Sequence, residues 1–148
     1  MVFTIVPAPA KAIWILAVVG VVLVGVIALL AWVAYASQRA TFSVTPEGLR
    51  ISGDPYGRTL PRSDLLVDSA SIVSLGAGSE YRPIWRRNGT GLGSYSAGWF
   101  RLANGDKALL FVTDRSRVVR VPTTLGYSVF MTVDRPEAMI DALHGLRR

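Results

Sequence analysis

The stretch AIWILAVVGVVLVGVIALLAWVAYA, residues 12–36, runs for twenty-five positions without a charged side chain, and fourteen of them are Val, Ile or Leu. At about 1.5 Å per residue a helix of that length reaches roughly 37 Å, enough to cross a bilayer core of about 30 Å with some tilt. Each aliphatic residue favours insertion by roughly 0.3–0.6 kcal/mol, so the segment favours it by about 4–8 kcal/mol. Trp14 and Trp32 stand near the two ends, roughly 27 Å apart along a helix axis. With Tyr35 they are the candidate anchor residues for the two headgroup belts in which amphipathic rings settle. The reading is a single membrane-spanning helix at 12–36, preceded by an amino-terminal tail at 1–11.

A cleaved signal peptide has a cationic start and an apolar run of about 7–15 residues before a small-x-small site. Ala34-Tyr35-Ala36 supplies such a triplet, but the apolar run is far too long and Lys11 is the one cation before it. Gly20 and Gly25 are five apart, which is not the four-residue GxxxG spacing of a helix-dimer face. Arg39 and Arg50 follow the span and Lys11 precedes it. That bias places the larger carboxy-terminal part in the cytoplasm. The chain has no cysteine, which is silent on redox compartment.

Residues 37–40 make a short tether, and 41–148 are long enough for one small core. Strand-like alternation dominates. Residues 41–45 and 49–51 flank the turn Pro46-Glu47-Gly48 and predict a hairpin. Asp54-Pro55-Tyr56-Gly57 breaks the chain before a short strand at 58–60; 61–66 reads as one helical turn and 70–75 as another strand. Asn104-Gly105, flanked by WFRLA and ALLFV, predicts a type I′ hairpin. Asp114-Arg115-Ser116-Arg117 reads as the turn of a second hairpin leading into 118–121, and 127–133 as the last strand. Asp134 and Glu137 have the spacing of a capping box around Pro136. Met139, Ile140, Leu143 and Leu146 then share one face of a closing helix. About seven antiparallel strands and one amphipathic helix describe a mainly-β barrel capped at one end by a carboxy-terminal α-helix.

Residues 76–98 read as a long loop, and loops of that length in compact domains are usually functional or disordered. Tyr81, Trp85 and Tyr95 argue for order, and Asn88-Gly89 reads as a tight turn within it. Arg82, Arg86 and Arg87 close to aromatic rings can hold an anion or lie along a lipid headgroup layer. The candidate ligand- or headgroup-binding residues are therefore Arg82, Trp85, Arg86, Arg87, Asn88 and Thr90. The competing structural reading pairs these arginines with Glu80, Asp64 or Asp114. Gly89, Gly91 and Gly93 lack the spacing and the lysine of a phosphate-binding loop, and Asn88-Gly89-Thr90 fits a glycosylation sequon too short to carry weight.

Residues 42–51 (FSVTPEGLRI), Tyr56-Gly57-Arg58, Tyr81-Arg82-Pro83, residues 87–92 (RNGTGL), Gly98-Trp99-Phe100-Arg101 and residues 113–117 (TDRSR) resemble the bacterial pleckstrin-homology-like family. The resemblance covers roughly 41–146. It implies a seven-stranded barrel with a carboxy-terminal helix, set after a membrane span, and no enzymatic activity. Inositol-lipid binding does not carry over, because the first hairpin offers Arg50 alone and includes Glu47.

The residues agree with a non-enzymatic reading. The single histidine, His144, sits at the end of the last helix, and a Ser-His-Asp arrangement would have to use it without an elbow motif. No His or carboxylate cluster has metal-ligand spacing, so neither a catalytic residue, a metal nor a cofactor is expected. The net charge of +6 is scattered, which argues against nucleic acid as a partner. The expected partner is membrane lipid. The alternative is a protein partner or a second copy, met at an exposed barrel edge.

Overall fold

The computed structural model describes residues 10–37, 40–92 and 95–146. The chain divides into two compact units, Met1–Ala36 and Ser37–Arg148. Residues 1–9 of the expected tail, and residues 38 and 39 of the expected tether, lie outside the described residues.

The described residues of the first unit belong to one helix, α1 (Ala10–Ser37), slightly longer than the charge-free run that predicts it. Within it Ile13–Trp32 has a mean hydropathy of 3.1 and buries nothing inside the protein. That makes it long and apolar enough to cross a membrane. A helix apolar on every side has no polar face to give to water. Trp14, Trp32 and Tyr35 all point outward from it.

The second unit opens with a three-stranded antiparallel meander, β1 (Thr41–Thr45), β2 (Gly48–Ser52) and β3 (Thr59–Pro61). The first hairpin forms where the Pro46-Glu47-Gly48 turn predicts it, with Val44 opposite Leu49. Two short 3₁₀ turns, Arg62–Asp64 and Val67–Ser69, lead into β4 (Ser71–Val73). The remaining strands are β5 (Pro83–Leu92), β6 (Tyr95–Leu102), β7 (Lys107–Val112), β8 (Val118–Pro122) and β9 (Ser128–Met131). They form a six-stranded sheet in the order β4-β8-β9-β7-β6-β5. The helix α2 (Pro136–Gly145) closes the fold. The mainly-β domain with a carboxy-terminal helix is thus the one expected. Among the described residues it has nine strands in two sheets that do not close into a barrel.

The six-stranded sheet is apolar on both faces. On one face Leu109, Phe111, Val119, Val121, Val129 and Met131 share a core with Leu49, Ile51 and Leu60 of the small sheet and with Met139, Leu143 and Leu146 near the carboxy terminus. On the other face Leu102, Ala108, Leu110, Val112, Val118 and Phe130 pack with Leu75 and the ring of Tyr81, which lies 5.9 Å from that of Phe130. The segment between β4 and β5 therefore serves as a cover, and the two cores explain why β7 and β9 show no polar alternation.

Three local expectations are overturned. The residues Asp114–Arg117 do not turn a hairpin: β9 lies between β7 and β8, pairing parallel with β7 and antiparallel with β8. The β6–β7 turn is not type I′, because Asn104 does not have a positive φ. The Gly105 N–H donates to the Leu102 carbonyl, and Gly105 alone takes φ +89° before Asp106. That is the longer hairpin loop in which a glycine absorbs the reversal. The capping box does not form either. Arg135 occupies the N-cap without a side-chain bond, while Glu137 pairs with Arg117 at the surface.

Candidate functional site

The long loop expected at 76–98 is mostly strand. β5 takes ten of its residues, forms one outer edge of the six-stranded sheet, and pairs with β6 from Pro83 to Leu92 with two interruptions. The alternation is hidden by irregular register between Pro83 and Trp85 and again between Arg86 and Asn88, leaving Ile84 and Arg87 unpaired. Each extra residue resets which face the next side chain takes. Asn88-Gly89 accordingly makes no turn: Asn88 faces Trp99 and Gly89 faces Gly98 across the ladder. Backbones approach closely here. A Cβ on Gly98, which has φ +115°, would meet the Asn88 carbonyl oxygen at 2.4 Å, so two glycines are needed for contact.

The register distributes the candidate residues over two faces. Arg86 lies opposite Phe100, and its guanidinium lies against Gly91, where an added Cβ would stand 3.2 Å from Nη1. With Trp85, Arg115 and Ser96 it lines an open recess of about 330 Å³. On the opposite face, Arg87, Asn88, Trp99 and Lys107 line a second recess, also about 330 Å³. Trp85 faces Arg101, and Arg101 faces Lys107 in the next strand, so cations flank the aromatic rings at this end of the sheet. Arg82 is not among them: it precedes β5, and its Nη1 donates to the Ala77 carbonyl at 3.1 Å. The side chain of Thr90 lies outside the described residues.

The arginines of β5 do not pair with the carboxylates expected to hold them. Asp64 accepts from the Ser63 hydroxyl, and Asp114 accepts from the backbone and hydroxyl of Ser116. Those Ser116 bonds hold the Asp114 carboxyl below its ordinary range. Among the described residues no ion pair involves Arg86 or Arg87. Ile84 is 54% and Trp85 69% exposed, next to these cations.

Sequence reasoning missed the cluster around Trp99. The Arg58 guanidinium lies 4.9 Å from the Trp99 ring and the Lys107 ammonium 4.3 Å from it. Tyr127 packs edge-on against Trp99 at 4.8 Å, and its hydroxyl accepts a hydrogen bond from Arg58. Arg58 Nε is buried and has no hydrogen-bond partner. The Asn104-Gly105 hairpin signal brings Trp99 close to Lys107, but nothing local links Arg58 to either.

The loop between β2 and β3 locks this end of the sheet. Tyr95 donates to Asp54 at 2.6 Å, and Tyr56 donates to the Asn88 side-chain oxygen at 3.0 Å. Burial first, then the bond and charge of Asp54, push the Tyr95 phenol well above its ordinary pKa. Among the described residues no three His, Cys, Asp or Glu side chains gather where they could hold a metal, and His144 is exposed. The family description "bacterial PH domain" matches residues 41–146. No curated protein and no solved structure matches the chain. The chain belongs to the bacterial PH domain family.

Proposed function

We propose that this bacterial PH domain is a non-catalytic binding module, anchored in a membrane by α1 with the β domain in the cytoplasm, that engages the membrane surface through β5. The observation that carries the reading is the edge position of β5, with Trp85 exposed beside Arg86 and Arg87 and, among the described residues, no carboxylate paired with either cation. Each basic residue near an anionic leaflet contributes about 1 kcal/mol. Arg86 and Arg87 together supply about 2 kcal/mol, short of a millimolar affinity. Such contacts suffice when a membrane anchor already supplies a high effective concentration. Their role is to orient the domain and to hold a headgroup, an indole ring lying at the interface beside them.

The test is salt-dependent binding to anionic vesicles by residues 37–148, with and without Arg86→Glu and Arg87→Glu. The proposal requires binding that weakens with added salt and with charge reversal; indifference to the reversal sinks it. The free outer edge of β5 favours a second reading, in which its ten residues pair with a strand of another protein or of a second copy. A defined oligomer or a partner that survives detergent extraction supports that reading.

A further inference from the structure

The cluster around Trp99 lies on the opposite face of the sheet from Arg86, and the geometry points to a phosphate-binding site there, formed by Arg87, Asn88 and Lys107 over the Trp99 ring. These three line one recess with Trp99, and each offers donors: a guanidinium fork, an ammonium and an amide. The Tyr56 hydroxyl engages the Asn88 side-chain oxygen, which turns the amide nitrogen away from that bond and leaves it to donate. Lys107 and Arg58 both lie against the Trp99 ring, so two like charges stand within about 9 Å of each other. The carboxylates nearest in sequence are engaged elsewhere: Asp54 by Tyr95 and Tyr56, Asp106 by Asn104. Among the described residues no ion pair involves Arg58, Arg87 or Lys107. The Arg58 guanidinium, whose Nη1 donates to the neutral Tyr127 hydroxyl, adds its positive charge beside the recess.

An anion supplies what the cluster lacks. A phosphate group accepts from a guanidinium fork and an ammonium at once, and bonds of this kind are the stronger class of hydrogen bond. The recess is open and has the volume of a small-ligand site at the lower end of the range. It has room for a phosphate monoester or free phosphate. The same chemistry occurs on a lipid headgroup and in solution. This site does not depend on β5 engaging lipid through Arg86.

The full chain, held in phosphatidylcholine nanodiscs, is titrated with inorganic phosphate at constant ionic strength. A second preparation carries phosphatidic acid in the disc. The readout is the indole N–H resonance of Trp99, assigned by its loss in Trp99→Phe. A saturable shift with phosphate assigns a soluble ligand, and a shift with phosphatidic acid alone assigns the headgroup; either supports the site. Lys107→Gln, a change at an exposed residue, weakens the response by about 10-fold or more, whereas Arg86→Gln leaves it within about 2-fold. The absence of a shift in both preparations, or equal loss with Lys107→Gln and Arg86→Gln, overturns the proposal. Vesicle binding that ignores Arg86→Glu while Trp99 still titrates removes the β5 reading and leaves this site standing.

Discussion

Tyr95 and Asp54 meet across 41 positions of sequence, and their 2.6 Å bond ties the β2–β3 loop to the start of β6. A phenol whose pKa is raised by folding adds stability that is fully present below its unfolded value, near 10, and is lost as the pH climbs through the folded value. The denaturation midpoint of the chain therefore falls above about pH 10, and Tyr95→Phe flattens that part of the profile. The same substitution costs about 1.5–3 kcal/mol at neutral pH, the worth of a hydrogen bond to a charged group. Chemical denaturation of the two proteins across the alkaline range measures both. Two glycines test whether the close approach of β5 and β6 matters apart from backbone angle. Gly98 and Gly105 both have positive φ, but a Cβ on Gly98 meets the β5 backbone while one on Gly105 meets nothing within 4 Å. Gly98→Ala is expected to lose at least about 2 kcal/mol, and Gly105→Ala about 1 kcal/mol, the backbone term alone. Equal losses in denaturant melts argue against a packing role for Gly98.

At the scale of elements, α2 is held by its apolar face and not by its cap. Leu143 is fully buried among the residues of both sheets, whereas Asp134 stands one position before the N-cap residue and Arg135 makes no side-chain cap bond. Leu143→Ala is expected to cost about 2–5 kcal/mol. Asp134→Ala changes stability by less than about 0.5 kcal/mol, where a working cap would lose about 1 kcal/mol; thermal melts of the two variants separate these. The capping-box spacing misled because Glu137 has a closer partner in Arg117, which only the folded arrangement supplies. The same divide runs through the other elements. The apolar helix, the first hairpin and the closing helix were legible because each is set by local chemistry: a charge-free run, a Pro-Glu-Gly turn, an apolar face at helical spacing. The long strand β5 was not, because unpaired residues at Ile84 and Arg87 break its alternation and four glycines between 89 and 98 imitate a loop. The insertion of β9 between β7 and β8 was not legible either, since pairing partners leave no local trace in strands buried on both faces. Of the basic residues, Arg86 and Arg87 were visible as a charged pair, but their separation onto two faces follows from the second register shift. Arg58 reaches Trp99 only through the fold of the small sheet over the large one.

In the molecule as a whole, an apolar helix precedes a basic β domain, and anchoring depends on the insertion energy of α1. Its aliphatic residues favour insertion by about 4–8 kcal/mol, and a single arginine at the centre of a span costs about 2.5–3.5 kcal/mol. One such substitution therefore leaves insertion favourable in most of that range, while two consume nearly all of it. Val24→Arg is expected to lower the fraction of chain resisting alkaline carbonate extraction without abolishing it. Val21→Arg combined with Val24→Arg releases most of the chain to the soluble fraction. Both positions lie on the exposed surface of the helix, so neither change disturbs packing inside the protein. The β domain has its own core and gives an independent check, since the Tyr95-dependent alkaline transition persists in the released chain. A segment removed by processing behaves otherwise: the mature amino terminus falls after residue 36, and the extraction pattern becomes indifferent to both substitutions. Retention of the single variant, release of the double variant and an intact amino terminus together identify α1 as a permanent anchor.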